Sequence, residues 1–326
     1  MVLVKAFPRI HISLLDLGNA TARRYGGSGF SIDGNCIEVS ATLAQQLQIE
    51  GLELVDEAAR REIERVITAF TAVCPDGPSF QVCIRRIPPQ HVGFGAKTAL
   101  LLAILTAVNS ETGAGLEQIA LQRLSGRGGT SGVGVNLYFS GGFVCDLGHP
   151  IQSEMPFLPS SASLPALIPP VACRFDIPEK WRFLLILPRG ERLAGSQEKL
   201  FFQRSTPVPR SEVLEAIAAT YHGVVPAIVT ADIGLLSSAL GTLHRVGFKR
   251  MELAAQSDAV RRIYDQLTTI RGLAVGLSSL GPLIYAAADT TDAEAVNEAE
   301  AICTIDEATV LGSFPPRNLG YEIAYE

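Results

Sequence analysis

No CxxC pair occurs anywhere in this chain of 326 residues; its six cysteines stand apart at positions 36, 74, 83, 145, 173 and 303. With no secretion signal beside them, they are expected to be reduced core thiols rather than a disulfide framework or a zinc site. The opening residues, MVLVKAFPRI, have neither the long apolar core nor the small-residue cleavage site of a signal peptide. Apolar runs are short. The longest, Ala99 to Val108, is ten residues interrupted by Thr106, against the roughly 20 a membrane span requires. A cytoplasmic protein without a membrane partner is expected. There is no basic excess either: the formal net charge is −6 and the pI is near 5.5, which disfavours nucleic acid as a partner. A local basic pocket for phosphates remains compatible with that charge. A Walker loop, GxxxxGK[ST], is absent, and so are tandem repeats and low-complexity tracts.

What is present is an ordinary globular composition, 47% apolar and 18% charged. The length suits two domains. The Pro/Ser-rich stretch Leu158–Pro170 reads as the connection between them, dividing the chain at 1–165 and 166–326. In the first half, Val2–Phe7 and Phe30–Val39 read as strands. Asp56 caps a helix whose Ile63, Val66, Ile67 and Phe70 recur at helical spacing. Phe80, Val82 and Ile84 alternate with polar residues as in a strand with one wet face, and an apolar helix follows Lys97. Leu137–Phe139 and Phe143–Cys145 flank Gly141-Gly142 as a hairpin or bulged strand. In the second half, Trp181–Leu187 is a strand, Ser211 can cap a helix, and a longer helix spans Pro226–Val246. Val260, Ile263, Tyr264, Leu267 and Ile270 form an amphipathic face. Leu273–Val275 is a strand, and a helix is expected from Pro282. Strands and helices mix without βαβ alternation, which predicts an α+β fold.

Three glycine-rich turns are candidate anion sites, because glycine lets backbone N–H groups approach an anion and a helix N-terminus adds a positive dipole end. They are Gln90–Thr98, with Gly93, Gly95, Lys97 and Thr98; Gly126–Gly134, with Arg127, Ser131 and Gly132; and Gly276–Pro282, with Ser278, Ser279 and Gly281. Taken singly, the first could be an ordinary strand-to-helix turn and the third a helix cap. His222 and His244 read as surface or satisfied core residues and Phe201-Phe202 as core; Arg9 and His11 could be no more than the solvated face of a short edge strand.

The order and spacing of the three turns resemble the three motifs of the GHMP superfamily, named for galactokinase, homoserine, mevalonate and phosphomevalonate kinases. Together with Arg9–Asp16, Gly26–Gly29 and Gly141–His149, they are most similar to its β-ribofuranosylaminobenzene 5′-phosphate synthase family. The resemblance implies a two-domain fold with a ligand cleft between the domains. It also implies an enzyme that joins phosphoribosyl pyrophosphate to an aromatic acid, 4-aminobenzoate or 4-hydroxybenzoate, with loss of carbon dioxide and pyrophosphate, on the way to methanopterin-type carriers. Mg²⁺ is the expected cofactor, its ligands unassigned, and the assembly stays open between monomer and homodimer.

By the same resemblance, Asp16, Asp146 and His149 are expected near the reacting centre. Arg9, Arg127, Lys97 and Thr98 with the Gly93–Gly95 backbone are expected around phosphate, and Ser131, Gly132, Ser278, Ser279 and Gly281 as further contacts. Lys97 departs from the small or hydroxyl residue usual there, and is expected as an exposed charge beside the anion. Many superfamily kinases carry an aspartate two residues after the Ser-Gly of the middle motif. Here that place is Gly134, which can neither accept a proton nor steady a charge, so an ATP-dependent small-molecule kinase is the alternative the sequence disfavours.

Overall fold

The computed structural model describes residues 1–89, 92–151, 156–160, 167–189, 196–305 and 308–326. The chain opens with strands β1 (Val2–Ala6), β2 (Arg9–Asp16), β3 (Arg23–Ser31), β4 (Ile37–Leu43) and β5 (Gln48–Glu50). Helix α1 (Glu57–Val73), β6 (Phe80–Arg86) and helices α2 (Ala96–Thr112), α3 (Gln118–Ser125) and α4 (Val133–Ser140) follow. Next come β7 (Phe143–Asp146), β8 (His149–Pro150), β9 (Val171–Phe175), β10 (Trp181–Leu187), α5 (Ser196–Ser205) and α6 (Arg210–Ala219). A π-helical turn, Thr220–Val224, leads to α7 (Val225–Val229), α8 (Ile233–Arg245), α9 (Gly247–Ala254) and α10 (Asp258–Leu267). The chain ends with β11 (Ala274–Leu277), β12 (Ile284–Asp289), α11 (Ala293–Ile305), β13 (Thr309–Phe314) and β14 (Glu322–Tyr325).

The strands form three sheets, ordered β14-β1-β4-β6-β5, β2-β3-β7-β9 with β8 beside β3, and β11-β12-β10-β13. The mixture without βαβ alternation is the α+β class that the sequence predicts. Two pairings reach across the middle of the chain: β14 lies against β1, and β9 against β7. On the first sheet sits α2, buried on nearly all sides from Ala96 to Val108, which is what an apolar helix without a polar face requires. Beside it, α1 is capped by the Asp56 carboxylate, which accepts from the Ala59 N–H at 2.7 Å. A second core joins Ile10, Ile12 and Phe30 to Phe183, Leu240 and Tyr285. It binds the middle sheet to the third sheet and its helices. None of the six cysteines, all among the described residues, is in a disulfide. The stretch Arg210–Val229 is long and apolar enough by composition to cross a membrane, but its Val213, Ala216, Val224, Ala227 and Ile228 are buried in the core.

Several local expectations are corrected. Phe30–Val39 is not one strand: β3 ends at Ser31, and Asn35, at a left-handed φ of 48°, turns the chain before β4. Leu137–Phe139 belongs to α4, because the main-chain break comes later, at Gly141 and Gly142 with φ of 57° and 71°. The helix expected from Pro282 is strand β12. Its Ile284–Ala288 are buried on both faces between β11 and β10, and a continuous apolar run looks alike in a central strand and a buried helix. Pro226–Val246 is split at Ala231, where φ is 55°, and Asp232 caps a new helix. Ser211 lies inside α6, which starts one residue earlier.

Candidate active site

The three glycine-rich turns meet at β2. This strand is the edge of its sheet, and an exposed edge would leave its N–H and C=O groups without partners. The first and third turns supply partners for it. Arg9 N–H donates to the Phe94 carbonyl at 3.1 Å, and Ser279 N–H donates to the His11 carbonyl at 3.3 Å. His11 N–H donates to Ser278 Oγ at 3.2 Å, and that hydroxyl donates onward to the Gly93 carbonyl at 2.8 Å. The first and third turns also touch through their backbones: a Cβ on Gly281 would lie 2.4 Å from the Val92 oxygen, so only glycine permits this approach. Arg9 and His11 are therefore covered, which removes the alternative of a solvated edge-strand face; His11 is only 7% exposed.

A cavity opens over this junction, and its wall has two kinds of surface. One part is cationic. The Arg9 guanidinium donates to the Gly93 carbonyl at 2.9 Å and lies against Gly95, where a Cβ would come within 2.8 Å of it. Arg127 donates to Thr98 Oγ1 at 3.1 Å and to Ser160 Oγ at 3.2 Å, with the Glu62 carboxylate at 3.7 Å. Burial, then the charge of Arg127, brings the Arg9 pKa down to about 10. Burial also lowers that of Arg127, against the opposing pull of Glu62 and Glu198. Among the described residues no carboxylate pairs with Arg9, so its charge faces the cavity uncompensated. Leu14, Phe202 and Leu280 form an apolar part of the same wall, with Glu252 beside them.

Between these parts stands His11. Its Nε2 is 3.4 Å from Ser131 Oγ, a hydroxyl that donates to Asp146 Oδ2 at 2.8 Å and accepts from Val133 N–H at 3.1 Å. With the Ser131 proton spent on Asp146, the network assigns Nε2–H to His11 and leaves Nδ1 as the acceptor. Burial, then the charges of Arg9 and Lys249, holds the imidazole well below its usual range, so it is neutral at physiological pH. Asp146 also accepts from Gly132 N–H at 2.9 Å and Gly148 N–H at 2.8 Å. Burial raises its pKa to about 6 despite those bonds.

The expected site residues thus fall into groups. Arg9, Thr98, Arg127, Ser131 and Ser279 line the cavity. Gly93, Gly95, Gly132, Ser278 and Gly281 stand behind it and hold its wall. Asp146 reaches it only through Ser131. Asp16 is 3% exposed, and its carboxylate accepts from the N–H groups of Gly18, Ala20 and Thr21 at 2.8–3.0 Å. It staples its own loop instead of facing the cavity. His149 Nε2 pairs with the Gly128 carbonyl at 2.9 Å, and burial lowers its pKa; it supports the second turn from outside. Lys97 is not an exposed charge beside an anion: its Nζ lies 3.2 Å from Glu62 Oε1, and its side chain is 20% exposed. Gln90 and His91 of the first motif lie outside the described residues. His222 is exposed, and His244 is a satisfied core residue between the Leu240 carbonyl and Leu277 N–H.

Several cavity residues carried no role in the sequence, among them His11, Glu198, Phe202 and Glu252. For His11 the signal was its place two residues after Arg9, which puts both on one face of a strand. Glu198 stands in the first turn of α5. Gly134 also lines the cavity. A Cβ there would meet Thr98 at 3.5 Å and the Arg9 guanidinium at 3.7 Å, ordinary contacts. Space therefore does not dictate glycine at this place.

No family model matches the sequence. The chain is 31% identical over 310 residues to the β-ribofuranosylphenol 5′-phosphate synthase of Methanothermobacter thermautotrophicus, covering 91% of each. It is 32% identical over 290 residues to the enzyme of that name from Archaeoglobus fulgidus, covering 89% of this chain and 88% of that one. Among solved structures, homoserine kinase from Cytophaga hutchinsonii superposes with a TM-score of 0.71 at 15% identity, over 99% of this chain and 97% of its own. Phosphomevalonate kinase from Streptococcus pneumoniae gives 0.70 at 10% identity, over 95% and 98%. These structures share the GHMP fold with this chain across its whole length.

Proposed function

The chain belongs to the family of the β-ribofuranosylphenol 5′-phosphate synthases, and on that premise we propose that it condenses phosphoribosyl pyrophosphate with 4-hydroxybenzoate. Carbon dioxide and pyrophosphate leave, and a ring carbon becomes bonded to the sugar. The observation that carries this reading is the identity of 31% maintained over nine-tenths of both chains. The relatives are named for a phenol, which favours 4-hydroxybenzoate as acceptor over 4-aminobenzoate. The product would feed the assembly of methanopterin-type carriers, in the cytoplasm.

The chemistry asks the protein to stabilise a leaving diphosphate and to hold a ring carbon against the sugar carbon. Arg9, Arg127 and Thr98, with the N–H groups at the start of α2, would bind the diphosphate. Positioned cations aimed at developing charge are the largest single contribution in such sites. Holding two substrates together removes the entropic part of the barrier, and no enzyme nucleophile is needed. The neutral His11 would accept a hydrogen bond from a sugar hydroxyl through Nδ1.

Mg²⁺ fits this site only as a metal carried largely by the substrate. Among the described residues no three His, Cys, Asp or Glu side chains gather as ligands, and Asp16 and Asp146 spend their oxygens on N–H and O–H donors. Glu198, on the cavity wall, would add one carboxylate to the diphosphate oxygens, a mixture Mg²⁺ commonly takes. When bound, the ion would neutralise charge on the leaving group.

The kinase alternative is disfavoured by Gly134, which stands on the cavity wall beside Thr98 and Arg9 and brings no carboxylate there. Incubation with phosphoribosyl pyrophosphate, Mg²⁺ and carboxyl-labelled 4-hydroxybenzoate or 4-aminobenzoate, with released carbon dioxide counted, tests the proposal. ATP-dependent phosphorylation of homoserine, mevalonate or a hexose without carbon dioxide release would sink it.

A further inference from the structure

The floor of the cavity holds an ion pair to which binding of the diphosphate assigns no part. Lys249 and Glu252, one turn apart on α9, are 2% and 3% exposed, and Lys249 Nζ lies 2.6 Å from Glu252 Oε2. Burying two charges costs more than their attraction commonly returns, so such a pair is poor evidence of a stabilising device. Lys249 is also fixed by donating to the Leu277 carbonyl at 2.9 Å, next to the third glycine turn. Glu252 alone of the two lines the cavity, in company with Leu14, Phe202 and Leu280. Gln256 donates to the main-chain carbonyls of Leu280 at 3.4 Å and Glu252 at 3.3 Å, which ties the α9 backbone at Glu252 to the apolar part of the wall. Burial raises the pKa of Glu252, against the opposing pull of Lys249, which makes it a stronger base than a surface carboxylate.

An apolar wall with one ionised acceptor suits a flat ring carrying one proton donor. We propose that Glu252 receives the para hydroxyl of the aromatic acceptor and takes its proton, with Lys249 as the positioning residue that keeps the carboxylate ionised. This role rests on the proposed synthase activity. The O–H bond breaks toward Glu252, and its electron pair moves into the ring. The ring carbon bearing the carboxylate then bonds to the sugar carbon as the sugar–oxygen bond breaks and its pair leaves with pyrophosphate. The bond to the carboxylate breaks next, carbon dioxide departs, and the released pair restores the aromatic ring. Glu252 returns its proton to the ring oxygen. The same contact sets specificity. An ether in place of the hydroxyl leaves the buried carboxylate facing an oxygen with no proton, and sites built to hydrogen-bond a hydroxyl reject analogues lacking it by about 10⁴-fold or more.

The test compares wild type, Glu252→Gln and the double variant Lys249→Met/Glu252→Gln, which leaves neither charge of the pair buried. Carbon dioxide release from 4-hydroxybenzoate and 4-methoxybenzoate is measured beside pyrophosphate binding by calorimetry. Loss of general-base catalysis is expected to lower kcat for 4-hydroxybenzoate by about 10²- to 10⁴-fold, with pyrophosphate affinity within about threefold, a retention that an unfolded protein would not show. Wild type is expected to leave 4-methoxybenzoate untouched. A folded Glu252→Gln protein with kcat near wild type overturns the role, as does wild-type turnover of 4-methoxybenzoate at a comparable rate. Should neither variant fold, the methoxy comparison on wild type decides alone. A wild type that releases no carbon dioxide from 4-hydroxybenzoate overturns the synthase activity itself; an active wild type with an indifferent variant overturns only Glu252.

Discussion

On the proposed reading Arg9 binds the diphosphate, and it does so at the expense of the folded protein that carries it. Its pKa falls from 12.5 to about 10 through burial and the neighbouring Arg127 charge, so keeping it charged without an anion costs about 3 kcal/mol. Against that stands one hydrogen bond, to the Gly93 carbonyl at 2.9 Å, worth about 1 kcal/mol. Arg9→Gln removes the charge and keeps an amide donor for Gly93. The variant is therefore expected to melt at or above the wild-type temperature, since 1 kcal/mol moves the midpoint by roughly 2–4 °C in large domains. Its affinity for pyrophosphate is expected to fall about ten- to a hundredfold, the worth of a charge-assisted hydrogen bond at about 1.5–3 kcal/mol. Thermal melts with and without pyrophosphate, beside calorimetric titration, read both quantities. Pyrophosphate at a hundred times its Kd is expected to stabilise wild type by about 2.7 kcal/mol. A variant that melts several degrees lower and binds pyrophosphate as tightly as wild type would refute the reasoning, because Arg9 would then be a structural residue.

Lys97→Ala is expected to leave pyrophosphate affinity within about threefold, because Lys97 is committed to Glu62 at 3.2 Å; a tenfold loss by calorimetry would return it to the anion site. Gly281→Ala forces a Cβ to within 2.4 Å of the Val92 oxygen, and overpacking of this kind costs about 1–3 kcal/mol. It should lower both the melting temperature and kcat, and unchanged kinetics would dissociate the third turn from catalysis. Asp146 is ionised only above about pH 6, and its oxygens must accept from Ser131, Gly132 and Gly148. Activity should accordingly fall as pH drops through 6, and Asp146→Asn should remove that limb of the profile. Because the folded pKa lies above the ordinary 3.8, the folded state binds this proton more tightly, and Asp146 should contribute falling stability as pH rises from about 4 to about 6. EDTA should abolish turnover and Mg²⁺ restore it; full activity in metal-free buffer would show that Arg9 and Arg127 suffice.

The elements legible in the sequence were those with an unambiguous period. Ile63, Val66, Ile67 and Phe70 mark α1, and Phe80, Val82 and Ile84 mark β6, because one face of each meets water and the pattern records it. Ile284–Ala288 carries no such record: a strand buried on both faces and a buried helix select the same residues. The glycine turns were legible as turns, but not their meeting point, because β2 joins the first and third through bonds of its own backbone, whose partners no side-chain pattern records, and meets the second through His11 and Ser131. Asp16 and Asp146 were legible as polar residues beside those turns. Whether a carboxylate faces a cavity or staples a loop depends on where N–H donors converge, and residue spacing does not encode that. Glu252 and His11 went without a role for the converse reason. An acidic residue on a helix and a histidine on an edge strand are ordinarily solvated, and only packing by distant segments, Phe202 and Leu280 for one and the Ser278–Ser279 turn for the other, buries them at the cavity.

Counting carbon dioxide released from carboxyl-labelled 4-hydroxybenzoate puts the proposed reaction itself to the test. With phosphoribosyl pyrophosphate and Mg²⁺ present, label is expected to leave as carbon dioxide in step with pyrophosphate, one for one, and not when phosphoribosyl pyrophosphate is omitted. Retention of the label in the acid, together with ADP formed from ATP and a small alcohol substrate, would contradict it.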